Sequence, residues 1–86
     1  MKAYVKRLLH LQDGSFVCSY NSRTYLATKS SYAKGRVLKF YAKELGGRDF
    51  VSLNLFLTKQ SPLLRPCEMS PQKVIDFLEH FEPTQV

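Results

Sequence analysis

The chain has 86 residues, the size of one small domain, and residues 1–86 are predicted to form a single globular unit. Hydrophobic residues make up 44% and charged residues 23%, which excludes wholesale disorder because disordered chains are poor in apolar residues. No apolar run reaches about 18 residues, the length that a membrane-spanning helix needs, so we expect no membrane association.

Positive charge is concentrated in the first half of the chain. The net charge is +6, and residues 1–48 hold ten basic residues against two acidic ones, whereas residues 49–86 hold three against five. Such an asymmetry attracts polyanions, which include nucleic acid and acidic proteins.

The first 20 residues predict a β-hairpin. Apolar residues share one parity through much of 3–11, which favours a strand, although Arg7 interrupts the alternation. Asp13-Gly14 is a strong signal for a tight turn, and residues 15–20 are rich in strand-forming side chains.

The middle of the chain predicts two further strands. Asn21-Ser22 suits a second tight turn, residues 23–28 favour a strand, and residues 29–35 predict a basic loop. Residues 36–45 fit both a strand and a helix, because short apolar runs often match both periods. The strand is favoured, since Gly46-Gly47 can form a hairpin turn and Phe40 falls outside the apolar stripe of the helix.

The last third of the chain carries the clearest patterns. Residues 49–58 alternate strictly and predict a strand, and residues 63–68 could add a short one, which Pro66 would confine to a sheet edge. A helix is predicted over residues 71–82, because Ser70 can cap its first turn and Pro71 suits its first position.

These elements predict an α+β fold, an antiparallel meander of five or six short strands with one C-terminal helix packed on one face. The expected core joins apolar residues of the fifth strand to those of the helix. These residues are Val51, Leu53, Leu55 and Leu57 on the strand and Val74, Ile75, Leu78 and Phe81 on the helix.

The sequence carries no sign of catalysis. It has no phosphate-binding glycine loop, no nucleophile elbow and no paired-histidine metal motif, so we expect a protein that is not an enzyme and binds no cofactor. Cys18, Cys67, His10 and His80 have ligand chemistry but lie far apart in sequence, so no metal site is predicted. Without an export signal, we expect a cytoplasmic protein with free thiols.

One face of the predicted sheet combines basic and aromatic side chains. If the apolar alternation of residues 49–58 faces the core, Phe50 and Phe56 face outward, beside Lys39, Tyr41 and Lys43 of the neighbouring strand. Bases stack on exposed rings and cations neutralise phosphates, so this face is a candidate single-strand binding surface. The predicted nucleic-acid contacts are Lys6, Arg36, Lys39, Tyr41, Lys43 and Arg48.

The alternative is a protein-interaction or regulatory subunit that uses the same face. Exposed phenylalanine pairs usually mark an interface, so Phe50, Phe56 and Tyr41 would then be buried against an acidic partner or against a second copy in a homodimer.

Overall fold

The computed structural model describes residues 1–84. Its elements are α1 (Ala3–His10), β1 (Gly14–Tyr20), β2 (Arg23–Tyr32), a 3-10 turn (Ala33–Gly35), β3 (Val37–Glu44), β4 (Phe50–Leu57), β5 (Pro62–Pro66), α2 (Pro71–His80) and β6 (Glu82–Pro83).

The six strands form one open antiparallel sheet in the order β5-β4-β3-β2-β1-β6. The first five strands are a meander, and the chain then crosses one face as α2 before β6 pairs with the outer edge of β1. The predicted α+β class, with an antiparallel sheet and a C-terminal helix packed on it, is confirmed.

Both helices lie on the same face of the sheet. The helix α2 packs against β4, β5 and α1, and the core between the two layers is apolar. Among the residues predicted to form it, Ile75 and Leu57 are only partly buried, at its margin. No helix among the described residues is long and apolar enough to cross a membrane.

The predicted first strand over residues 3–11 is wrong, because these residues form α1 with the apolar residues at helical spacing. Val5 and Leu8 are three positions apart and buried in the core. Arg7, which interrupts the alternation, turns toward α2 and donates a hydrogen bond to the carbonyl oxygen of Leu78 at 2.7 Å. Asp13 accepts hydrogen bonds from the backbone and hydroxyl of Ser31.

The first hairpin therefore joins β1 to β2. Its two-residue turn is Asn21-Ser22, and both residues adopt positive φ (53° and 64°), as the favoured hairpin turns require. The basic loop predicted over residues 29–35 is also corrected, because β2 continues to Tyr32. Lys29 points into the core and is only 5% exposed, so its charge does not mark a loop.

The ambiguous residues 36–45 contain a strand, β3, in which the buried residues Leu38, Phe40 and Ala42 alternate with the exposed residues Lys39, Tyr41 and Lys43. Gly46 has a φ of 80° in the turn to β4, a conformation that glycine adopts without strain. The edge strand β5 has a proline at each end, which limits pairing with another chain.

The helix α2 begins as expected and ends two residues early. Ser70 accepts a hydrogen bond from the backbone of Lys73, and Pro71 is the first helical residue. The helix stops at His80 rather than at residue 82, because the residue before a proline favours an extended backbone and Glu82 precedes Pro83. Glu82 pairs with Ser19 instead, in β6.

Candidate functional site

We name the face of the sheet opposite α1 and α2 the open face, because no element within residues 1–84 packs on it. Strand β3 lies near its centre, and the alternation that buries Phe40 points Lys39, Tyr41 and Lys43 outward. Tyr41 is 43% exposed, which is high for a large aromatic residue in a central strand. The three side chains form one line along the middle of the open face.

Cross-strand partners share a face, so the register extends this line into rows. Lys39 faces Ser30 on one side and Asn54 on the other, and Tyr41 faces Thr28 and Ser52. These two rows are adjacent and predominantly polar, and we name them the polar band. Its members are Ser15, Thr28, Tyr41, Ser52, Ser30, Lys39, Asn54 and Arg65.

An apolar row borders the polar band on each side. The first apolar row contains Val17, Leu26 and Phe50, with Lys43 between the last two. The second apolar row crosses the other end of the strands. It contains Tyr32, Val37, Phe56 and Leu63.

The aromatic rings of the open face lie close to one another or to cations. The rings of Tyr41 and Phe50 stack at 6.1 Å between centroids, with 23° between their planes. The ammonium of Lys39 lies 5.6 Å from the ring centroid of Tyr32, which is 50% exposed. The ammonium of Lys73, at the start of α2, lies 6.0 Å from the Phe50 ring. The open face thus presents π surfaces beside positive charge.

A shallow depression of about 270 Å³ lies in the middle of the polar band. Its polar side chains include hydroxyls, an amide, a thiol and one ammonium. The lining consists of Thr28, Ser30, Lys39, Phe40, Tyr41, Ser52, Leu53, Asn54 and Cys67. None of the described residues that line the depression carries a carboxylate, and one carries an ammonium. The electrostatic potential in the depression therefore favours an anionic or neutral polar ligand.

Asp49 directly precedes Phe50 at the start of β4, and its carboxylate is paired with a cation. Asp49 accepts hydrogen bonds from Lys73 Nζ at 2.6 Å and from the Tyr25 hydroxyl at 2.6 Å. Burial alone would raise the pKa of Asp49, but these two hydrogen bonds and the Lys73 charge lower it overall. The ionised Asp49 is thus paired with a cation and adds little negative potential to the open face.

The structure brings together only some of the predicted nucleic-acid contacts. Lys39, Tyr41 and Lys43 share the open face, whereas Arg36 and Arg48 lie in turns at opposite ends of β3, about 27 Å apart along eight residues of strand. Lys6 is on α1, on the far side of the sheet, because the segment that carries it is helical. It cannot join the same ligand contact.

The residues of the alternative interface also lie on the open face. Phe50 and Phe56 are half-buried at opposite ends of β4, in the two apolar rows, and Tyr41 is between them. Both hypotheses therefore still concern the same surface, and the roles of these residues stay predictions.

The predicted nucleic-acid contacts did not include the polar residues of β2 and β5. Thr28 ends the strand predicted over residues 23–28 and pairs with Tyr41, whereas Ser30 joins the polar band because β2 extends beyond residue 28. Arg65 joins it through pairing with Asn54. Gly35 was the sequence feature that could have indicated the end of β2, because it lies in the turn Ala33–Gly35 that follows Tyr32. Nothing local in the sequence fixes the partner of Arg65, because strand register depends on the whole hairpin.

The four isolated cysteines and histidines lie on different elements. Cys18 is on β1, His10 ends α1, His80 ends α2, and Cys67 follows β5; both cysteines are free. A different group, Asp76, Glu79 and His80, lies on one exposed turn of α2 with possible ligand atoms within 4.8 Å of one another. Asp76 already accepts a hydrogen bond from Tyr20 and lies 3.3 Å from His80 Nδ1, so these contacts explain the cluster.

Comparisons of the chain with protein-family models, with curated proteins and with solved structures find no match.

Proposed function

We propose that the protein is a non-enzymatic binding module that holds single-stranded nucleic acid on its open face. The observation that carries the proposal is the line of Lys39, Tyr41 and Lys43 on β3, with the Phe50 ring stacked beside Tyr41. Bases can stack on these rings only when they are unpaired, so a single strand fits this face better than a duplex does.

Charge supports the same ligand. Three cations project from the open face, Lys39 and Lys43 on β3 and Arg65 on β5, and each can neutralise one phosphate. Three released counterions give a salt slope of about −2 for single strands, so binding should weaken roughly 20-fold between 50 and 200 mM salt.

The free thiols of Cys18 and Cys67 support a reducing, cytoplasmic location.

Fluorescence anisotropy with labelled single-stranded and duplex oligonucleotides at these two salt concentrations tests the proposal. We expect salt-dependent binding of the single strand, and we expect the double variant Lys39→Glu/Lys43→Glu to weaken it at least about tenfold. Lys2→Glu/Lys6→Glu is the matched control, because it changes the net charge equally at exposed positions on the helix side. Equal losses in both variants, or no binding at low salt, would refute the proposal.

A protein contact through the same face is the second candidate. It is favoured by the second apolar row, in which Tyr32 and Leu63 are exposed large apolar side chains. A second copy docked face to face would oppose Lys39, Lys43 and Arg65 to like charges, so an acidic partner fits better than a homodimer. A dimer mass in light scattering, together with no oligonucleotide binding, would instead favour self-association.

A further inference from the structure

We propose that the open face discriminates RNA from DNA by taking a ribose 2′-hydroxyl into the depression of the polar band. This inference rests on the proposed function and specifies its ligand. It goes beyond stacking and charge, which act alike on RNA and DNA, because it assigns a role to the neutral polar side chains between the aromatic rings.

The lining of the depression has the chemistry that a hydroxyl ligand needs. A 2′-hydroxyl is both a donor and an acceptor, and the hydroxyls of Ser30 and Ser52 and the amide of Asn54 can likewise donate and accept. The amide nitrogen of Asn54 lies 3.7 Å from Cys67 Sγ, which directs the carbonyl oxygen of the amide away from that sulfur. A phosphodiester can accept hydrogen bonds from the same groups but has no hydrogen to donate to their oxygens, so only the hydroxyl uses both their donors and their acceptors.

The positions of the neighbouring groups favour a sugar over the depression. Tyr41 borders it on one side and offers a ring to a base, while Lys39 borders it in the next row and offers a cation to a phosphate. The ribose connects base and phosphate within each nucleotide, so a nucleotide that uses both groups places its sugar between them. The lining acceptors are then within reach of the 2′-hydroxyl.

The expected discrimination is modest because the depression is open to water. One hydrogen bond of this kind changes affinity by about two- to tenfold. We therefore expect labelled oligouridine to bind about two- to tenfold more tightly than oligodeoxyuridine of the same length, which differs only in the 2′-hydroxyl.

Anisotropy titrations with three 12-nucleotide probes test this inference: oligouridine, oligodeoxyuridine and 2′-O-methyl oligouridine. The methylated probe keeps the sugar oxygen but cannot donate, so we expect it to bind like the deoxy probe. The double variant Ser52→Ala/Asn54→Ala should bring the ratio of the RNA and DNA affinities to about one. The matched control Ser19→Ala/Thr24→Ala, on exposed positions of the same face outside the depression, should keep the ratio.

The possible failures separate the two proposals. Equal, salt-dependent binding of RNA and DNA would overturn this inference and leave the proposed function intact, as would a preference that survives Ser52→Ala/Asn54→Ala or extends to the methylated probe. No binding of any probe at low salt would overturn both. Because each variant is judged by a ratio of affinities, a small loss of folded protein does not affect the result.

Discussion

The ammonium nitrogen of Lys29 lies 3.2 Å from the backbone carbonyl oxygen of Leu9, and this contact joins the sheet to the last turn of α1. The same ammonium donates to the carbonyl oxygen of Leu11. Carbonyls at a helix end have no donor within the helix, and a cation there also complements the helix dipole. Burial lowers the pKa of Lys29, although the charge of Asp13 opposes this shift. Lys29 therefore caps α1 from within the core.

Replacement of Lys29 by methionine should lower the free energy of unfolding by about 1–3 kcal/mol, because two carbonyl groups lose a charged donor. Urea unfolding followed by circular dichroism measures this change. Lys39→Met on the open face is the matched control and should change stability by less than about 0.5 kcal/mol. A Lys29→Met protein as stable as the wild type would show that the aliphatic part of the side chain is sufficient.

Arg7 should stabilise the protein through its guanidinium group, which a lysine cannot replace. It donates to the carbonyl oxygens of Leu78 and Phe81 and lies 4.2 Å from the ring centroid of Phe81. We expect Arg7→Ala and Arg7→Lys both to cost about 1–3 kcal/mol in urea unfolding, since the planar fork makes two hydrogen bonds while it stacks on the ring. If Arg7→Lys has the same free energy of unfolding as the wild type, the charge of Arg7 alone accounts for its contribution to stability.

Stability should fall between pH 10 and 12 because of Tyr20. Burial, followed by the hydrogen bond and charge of Asp76 and the charge of Asp49, raises the pKa of Tyr20 from 10.0 to about 12. In this window the unfolded phenol loses its proton while the folded one keeps it, so the stabilisation is complete below pH 10 and is lost as the pH approaches 12.

Urea midpoints measured from pH 9 to 11.5 test this prediction. Tyr20→Phe should make stability fall less steeply over this range, because the shifted phenol is removed. An identical decline in wild type and Tyr20→Phe would contradict the assignment. Some decline should remain, because burial and Asp49 also raise the pKa of Tyr25.

The buried leucines Leu53 and Leu78, between α2 and the sheet, should each contribute strongly to stability. Leu78 is 0% exposed and Leu53 is 1% exposed, so truncation of either to alanine leaves a cavity and should cost about 2–5 kcal/mol. Leu63→Ala is the control, because Leu63 is 41% exposed and its loss should cost much less. Thermal or urea unfolding compares the three variants, and a near-neutral Leu78→Ala would refute this packing.

Much of the sheet could be predicted because its strands alternate with a period of two. Val51, Leu53 and Leu55 share one face of β4, and the same rule placed Lys39, Tyr41 and Lys43 outward on β3. The same alternation predicted the aromatic and basic residues of the candidate site on β3 and β4. The polar half of the site could not be predicted in this way, because it depends on the register of β2 and β5 with their neighbours. That register is set by contacts between distant parts of the chain.

The helix α1 was missed because its local signals conflict with its structure. Its N-cap residue, Lys2, makes no side-chain cap, and no acidic residue lies in its first turn, so the usual sign of a helix start is absent. Asp13-Gly14 resembles a hairpin turn, yet Asp13 accepts hydrogen bonds from Ser31 on the adjacent strand β2. The helix is instead supported by contacts from other elements, namely those of Arg7 with α2 and of Lys29 with the end of α1, and by the burial of Val5 and Leu8 at helical spacing.

The return of β6 to β1 has a consequence for the order of folding. The meander strands can pair with their sequence neighbours as soon as each is synthesised, since these contacts are local. The outer edge of β1, in contrast, gains its partner only after Glu82 and Pro83 have been made, more than 60 residues later. A nascent chain therefore exposes an unpaired strand edge through most of its synthesis, the type of surface on which unfinished proteins associate.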